Sequence, residues 1–155
     1  MTGVKLLVLG GSWFVGRAIV GEALHRGWAV TTFRRGLSPG LPGVREIFGD
    51  WEHRGDLESL AAQGPWDVVV DVAGSVPLLV RNTTRALRSR AGLYVFISTV
   101  SAYRDWPHRP VDESSPLFDG DPDLDPRTRV WDPDAYGPLK AGCELAVLRE
   151  YGDRR

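Results

Sequence analysis

The sequence predicts an α/β fold built on a doubly wound parallel sheet, and three observations carry that prediction. Apolar, β-branched runs recur along the chain, most of them without a polar face, as befits strands buried on both sides. Stretches with a 3.6-residue apolar period lie between the runs, the alternation that winds a parallel sheet. The first run also passes directly into a glycine-rich turn, Gly10-Gly11-Ser12-Trp13-Phe14-Val15-Gly16, which opens a helix.

Taken in order, residues 4–9 form the first strand and residues 14–26 the first helix. Phe14, Val15, Ala18, Ile19 and Ala23 supply one apolar face of that helix, Ser12 stands where a cap is needed, and Gly27 supplies the stop. Strands follow at 28–33 and 44–48, then a short helix at 56–62, a strand at 67–72, a longer helix at 77–90 and a fifth strand at 93–98. The last helix covers 136–151. With right-handed crossovers these five strands lie in the order 3-2-1-4-5. Residues 104–134 carry prolines at 107, 110, 116, 122, 126 and 133 and no periodicity, so they read as one long loop. Unstructured loops above about 12–15 residues are usually functional lids or disordered. There is no internal repeat and no linker, so residues 1–155 read as one Rossmann-like domain.

Composition narrows the class. The chain has 155 residues, 43% hydrophobic and 25% charged, which suits a soluble globular domain. A formal net charge of −1 gives no general attraction to nucleic acid or to an anionic membrane. The single Cys143 rules out an internal disulfide, and His25, His53 and His108 have no metal-ligand spacing. The apolar run 6–9 is too short for a signal-peptide core and no segment approaches the roughly 20 apolar residues of a membrane span. A cytoplasmic protein is therefore expected. Asp121-Pro-Asp-Leu-Asp125, with Asp132 at the twelfth position, looks like the start of a calcium loop. Pro126 stands where that loop needs glycine, so the segment reads as a solvated acidic loop and no metal is expected.

The chemistry concentrates in three places. Glycines at a strand end permit a tight turn and close backbone approach, and the amides of the following helix face a phosphate. Gly10 and Gly16 are the outer positions of the expected Gly-x-x-Gly-x-x-Gly spacing, with Trp13 in the middle. Tyr136-Gly-Pro-Leu-Lys140 puts a phenol and an ammonium on one helix face. A tyrosine with an ordinary pKa near 10 becomes a better base when a cation favours its phenolate. Upstream, Ser98-Thr99-Val-Ser-Ala-Tyr103 ends a strand at the sheet edge where ligands of open α/β folds bind.

With these motifs in order, the chain resembles the short-chain dehydrogenase/reductase superfamily, in particular its extended branch of NAD(P)-dependent epimerases, dehydratases and reductases. The resemblance implies an enzyme that transfers hydride at a hydroxyl- or carbonyl-bearing carbon. Tyr136 would be the acid/base, Lys140 would hold the nicotinamide ribose, and Thr99, with Ser98 as the alternative, would bond the substrate oxygen. The cofactor would lie along the Gly10 to Gly16 turn. Asp50 and Trp51 would flank the adenine, and Val72-Ala73-Gly74 would line the loop after the fourth strand. Relatives specific for NAD usually carry an acidic residue after the second strand, whereas here Arg34 and Arg35 suit a 2′-phosphate, so NADP(H) is favoured over NAD(H).

The implied partner is a small molecule, a nucleotide sugar being the commonest family substrate, and a homodimer would use 77–90 and 136–151. Family members generally continue well beyond the length seen here, so the resemblance covers the cofactor half and lacks the family's C-terminal substrate region. The alternative is a non-catalytic nucleotide-binding or sensing module, or an inactive fragment of such an enzyme, marked by binding without turnover. RNA binding would need a basic, aromatic-interleaved stripe, which is absent.

Overall fold

A computed structural model describes residues 3–37, 39–125, 127 and 132–152. Five strands, β1 (Lys5–Leu9), β2 (Ala29–Arg34), β3 (Arg45–Phe48), β4 (Trp66–Asp71) and β5 (Ala91–Phe96), form one parallel sheet in the order β3-β2-β1-β4-β5. The helices are α1 (Phe14–His25), α2 (Arg54–Ala62), α3 (Pro77–Leu87) and α4 (Tyr136–Tyr151). The expected strand order is the observed one. Contacts divide the chain into two compact units, Met1–Ala73 with Ala86–Ile97, and Gly74–Arg85 with Ser98–Arg155.

The first unit contains the sheet. Central β1 is buried from Leu6 to Leu9 and pairs with β2 (Leu7↔Thr31) and β4 (Leu7↔Val69). Leu6 and Val8 pack with Val20 and Ala23 of α1 and with Val30 and Val70. The alternate residues Leu7 and Leu9 are equally buried, which explains why the run has no polar position.

The buried face of α1 keeps Ala23 and Ile19 of the expected one and differs at the other positions. Gly16, Val20 and Ala23 face inward, while Phe14, Val15 and Ala18 are exposed. A Cβ at Gly16 would lie 2.7 Å from Gly11 Cα. The helix therefore turns its glycine toward the turn, and the 16/20/23 stripe follows from the helical repeat. The expected cap also fails, because the N-cap is Trp13 and no side chain bonds the first turn. Gly27 does end the helix, with φ +73 and its N–H donating to Leu24 O at 2.9 Å.

β5 stops at Phe96, two residues before its expected end, so Ser98 and Thr99 lie beyond the strand. Its partner β4 stops at Asp71, whose buried carboxylate accepts from Ala73 N–H at 3.0 Å and from the Tyr94 hydroxyl at 2.9 Å. The last bond between the two segments runs from Ile97 N–H to Asp71 O at 2.9 Å.

In the second unit, the stretch expected to be a patternless loop is tied by backbone bonds. Tyr103 and Leu117 form an antiparallel bridge, Arg104 N–H donates to Pro116 O at 2.9 Å, and Phe118 N–H to Ala102 O at 2.9 Å. A Cβ at Gly120 would overlap the α4 backbone at Gly142, and one at Gly142 would lie 2.7 Å from Asp121 O. The acidic segment is engaged as well, since Asp123 pairs with Arg81 and with Arg149. Asp132 caps the short 3-10 turn Pro133–Ala135 that leads into α4. Pro138 fits the first turn of that helix, where an amide has no intrahelical partner. Among the described residues no group of His, Cys, Asp and Glu is arranged to hold a metal, and no helix is long and apolar enough to cross a membrane.

Candidate functional site

In the first unit, the turn from β1 into α1 is built on glycine backbone packed closely against its neighbours. Gly10 and Gly11 both have φ +97, a region that disfavours side chains. Gly10 N–H is anchored on Phe33 O at 2.9 Å, and a Cβ at Gly10 would lie 2.9 Å from Val72 Cγ2 and 3.5 Å from Ala73 Cβ. Val72 and Ala73 are thus brought against the turn. Trp13 has φ −132 and ψ 146, extended backbone open to any residue, and its side chain is 83% exposed. Position 13 therefore does not need glycine for its conformation. Phe14 is the unusual residue, since its φ of +32 is uncommon for a side chain of that size.

The end of β2 places the two arginines differently. Arg34 Nε donates to Glu46 Oε1 at 2.7 Å, and its guanidinium lies 5.1 Å from the Phe48 ring centroid. Arg35 is exposed, 5.9 Å from the centroid of Trp51, whose ring meets Phe33 edge-on at 5.4 Å. Asp50 Oδ1 accepts from Glu52 N–H at 3.0 Å, so this carboxylate also shapes the turn into α2.

The second unit contains Thr99, Tyr136, Lys140 and Gly74. Successive turns of α4 each make one connection. A Cβ at Gly137 would overlap the Ser101 carbonyl oxygen and approach the Phe118 ring to 3.0 Å, so only glycine lets α4 lie against the turn that follows Thr99. Lys140 is 6% exposed and its Nζ donates to Gly74 O at 2.8 Å. One turn further on, Glu144 accepts from the Ser98 hydroxyl. Thr99 Oγ1 accepts from Ser101 N–H at 3.2 Å, which leaves the hydroxyl proton available to an outside acceptor. Tyr136 is exposed. Ser98, Thr99, Tyr103, Asp112 and Glu144 help line a cavity of about 410 Å³. Hydrogen bonds from Ser114, first its hydroxyl and then its N–H, and from Ser115 hold the Asp112 carboxyl below the usual range.

Two residues escaped the sequence reading, Glu46 and Glu144. Glu144 had a signal, lying four residues beyond Lys140 on the same helix face. Glu46 had only its place two residues before the end of β3, and the pairing Thr32↔Glu46 that sets it beside Arg34 is tertiary.

Taken together, a parallel sheet in the order 3-2-1-4-5 and a glycine turn after its central strand define a Rossmann-like α/β fold. Solved structures share this fold. The enzyme WbmG of Bordetella bronchiseptica, in complex with NAD, superposes with a TM-score of 0.73 at 16% identity, over 96% of this chain and 50% of its own. UDP-N-acetylglucosamine 4-epimerase of Bacillus cereus gives 0.65 at 22% identity, over 94% and 48%. A short-chain dehydrogenase/reductase superfamily protein of Agrobacterium tumefaciens with bound NAD gives 0.68 at 24% identity, over 92% and 44%. The chain thus spans about half the length of these structures. No protein-family model matches the sequence, and no curated protein does.

Proposed function

We propose that this chain serves an NADP(H)-dependent oxidoreductase or epimerase/dehydratase of the extended short-chain dehydrogenase/reductase class. The observation that carries the reading is the β1–α1 turn, where the positive φ of Gly10 and Gly11 and the close approach of Gly16 to Gly11 make a backbone cradle suited to a pyrophosphate. Residues 10–16 would hold the pyrophosphate, Asp50 and Trp51 the adenine side, Arg34 and Arg35 the 2′-phosphate, and Val72, Ala73 and Gly74 the loop beside the cofactor. When bound, the nicotinamide would accept or supply the hydride of a carbon-bound hydrogen.

The chain's own residues would handle the proton. In the oxidising direction the Tyr136 phenolate takes the proton of the substrate hydroxyl as the carbonyl forms, and in the reducing direction its phenol returns that proton. Thr99 donates a hydrogen bond to the substrate oxygen. Lys140, on α4 one turn from Tyr136, would hold the nicotinamide ribose. A nucleotide sugar as substrate is supported by the name of the Bacillus cereus neighbour, and a homodimer through α3 and α4 by the family resemblance.

A second reading, nucleotide binding without turnover, is favoured by one observation: the Lys140 ammonium is engaged by the Gly74 carbonyl. Calorimetric titration with NADPH and NADH tests both. Binding of NADPH with a Kd below that of NADH supports the nucleotide site, and hydride exchange with a sugar-nucleotide panel, abolished by Tyr136→Phe, supports the enzyme. Absence of binding by a folded chain overturns the enzyme and the sensing module together.

A further inference from the structure

The two guanidiniums at the end of β2 differ in what they can offer a phosphate. Arg34 is clamped, since its Nε and a terminal nitrogen lie 2.7 and 2.6 Å from the same oxygen of Glu46, with side chains 8% and 24% exposed. One face of the guanidinium is also covered by the Phe48 ring. The chain after β2 comes down on the carboxylate, because a Cβ at Gly40 would lie 2.6 Å from one of its oxygens. Arg35, by contrast, is exposed beside Trp51.

We infer that Glu46 sets the cofactor preference of the site: by neutralising Arg34 it leaves Arg35 as the guanidinium that meets a 2′-phosphate. The inference rests on the nicotinamide-nucleotide reading above. A phosphate monoester carries about −1.5 to −2 charges at pH 7. Two arginines would answer that charge almost fully, but the Glu46 carboxylate cancels one of them and repels the ligand. Partly buried pairs are poorly screened, so both effects reach the ligand. The ribose 2′-hydroxyl of NADH is neutral and is indifferent to the exchange. Glu46 thus restrains a preference that the Arg-Arg sequence by itself would make strong.

The test is calorimetric titration of the intact chain and its variants with NADPH and NADH. Glu46→Gln keeps an acceptor for Arg34 while removing the charge. It should raise the ratio of the NADH Kd to the NADPH Kd about tenfold, with the NADH Kd itself unchanged. The double variant Arg34→Gln/Glu46→Gln should return the ratio to the wild-type value, since the gain comes from the released arginine. Arg35→Gln, which leaves the clamp intact, should abolish the wild-type preference and provides the test if Glu46→Gln fails to fold. An unchanged ratio in folded Glu46→Gln, or a preference that survives Arg35→Gln, would overturn the inference while NADH binding leaves the nucleotide reading standing. Loss of both nucleotides from the folded wild-type chain would overturn both.

Discussion

Gly16 and Gly21 lie five residues apart in α1, and the structure assigns opposite outcomes to the same substitution at the two positions. At Gly16 a Cβ would meet Gly11 Cα at 2.7 Å, Gly11 N at 2.9 Å and Val72 Cγ2 at 2.9 Å. Carbon atoms in good contact stand about 3.5–4.0 Å apart, so the helix must withdraw from the turn by close to an ångström. Two of the three obstacles are backbone and cannot rotate away. Overpacking of this kind costs about 1–3 kcal/mol, and the helical preference of alanine over glycine offsets at most about 1 kcal/mol. After the full offset Gly16→Ala should therefore destabilise by up to about 2 kcal/mol, lowering Tm by up to roughly 8 °C for a chain of this size. At Gly21 nothing lies within 4 Å. Gly21→Ala should stabilise by about 0.5–1 kcal/mol through helix propensity and a less flexible unfolded chain. Urea unfolding of the two variants beside wild type reads the difference directly. If Gly16→Ala proves as stable as Gly21→Ala, α1 does not lie against the turn as described. Because withdrawal of the helix distorts Gly11, Gly16→Ala should also weaken nucleotide binding, whereas Gly21→Ala should not.

Two further perturbations probe each unit separately. Tyr94→Phe removes the hydroxyl that donates to the buried Asp71 carboxyl at 2.9 Å, and leaving a buried acceptor without that donor should cost about 1–3 kcal/mol in chemical denaturation. A value near zero would mean that Asp71 is satisfied without it. In the second unit, NMR titration should find Asp112 below its ordinary pKa of 3.8 and Ser114→Ala should move it up toward that value. The stability Asp112 contributes is fully present above pH 3.8 and is lost as the pH falls through its lowered folded pKa. An Asp112 pKa indifferent to Ser114→Ala would refute the assigned cause.

The sheet was legible because its central strand β1 is apolar on both faces, and a buried parallel strand leaves that local signature without reference to any partner. The glycine turn was legible for a similar reason, since positive φ at Gly10 and Gly11 is a demand on single residues. Local pattern failed where packing against another segment decided the outcome. The apolar count on α1 favoured Phe14 and Val15, yet the approach of Gly16 to Gly11 rotated the helix and left both exposed. The fifth strand ran on to Ser98 by composition, but the ladder to β4 ended it at Phe96. The proline-rich stretch showed no period because its order comes from bonds such as Arg104 to Pro116 and Asp123 to Arg81, which no spacing rule encodes.

Among the candidate functional residues the same division holds. The sequence by itself determined that Tyr136 and Lys140 stand one turn apart on α4, whereas the structure leaves Tyr136 exposed and buries Lys140. Only tertiary structure decided what the charged partners do. Strand register set Glu46 beside Arg34 and made two adjacent arginines unequal, and the fold set Gly74 O against Lys140. Sequence spacing governs groups joined by a few bonds of chain. Charge pairing across many residues depends on how the elements pack, and that is where the two readings parted.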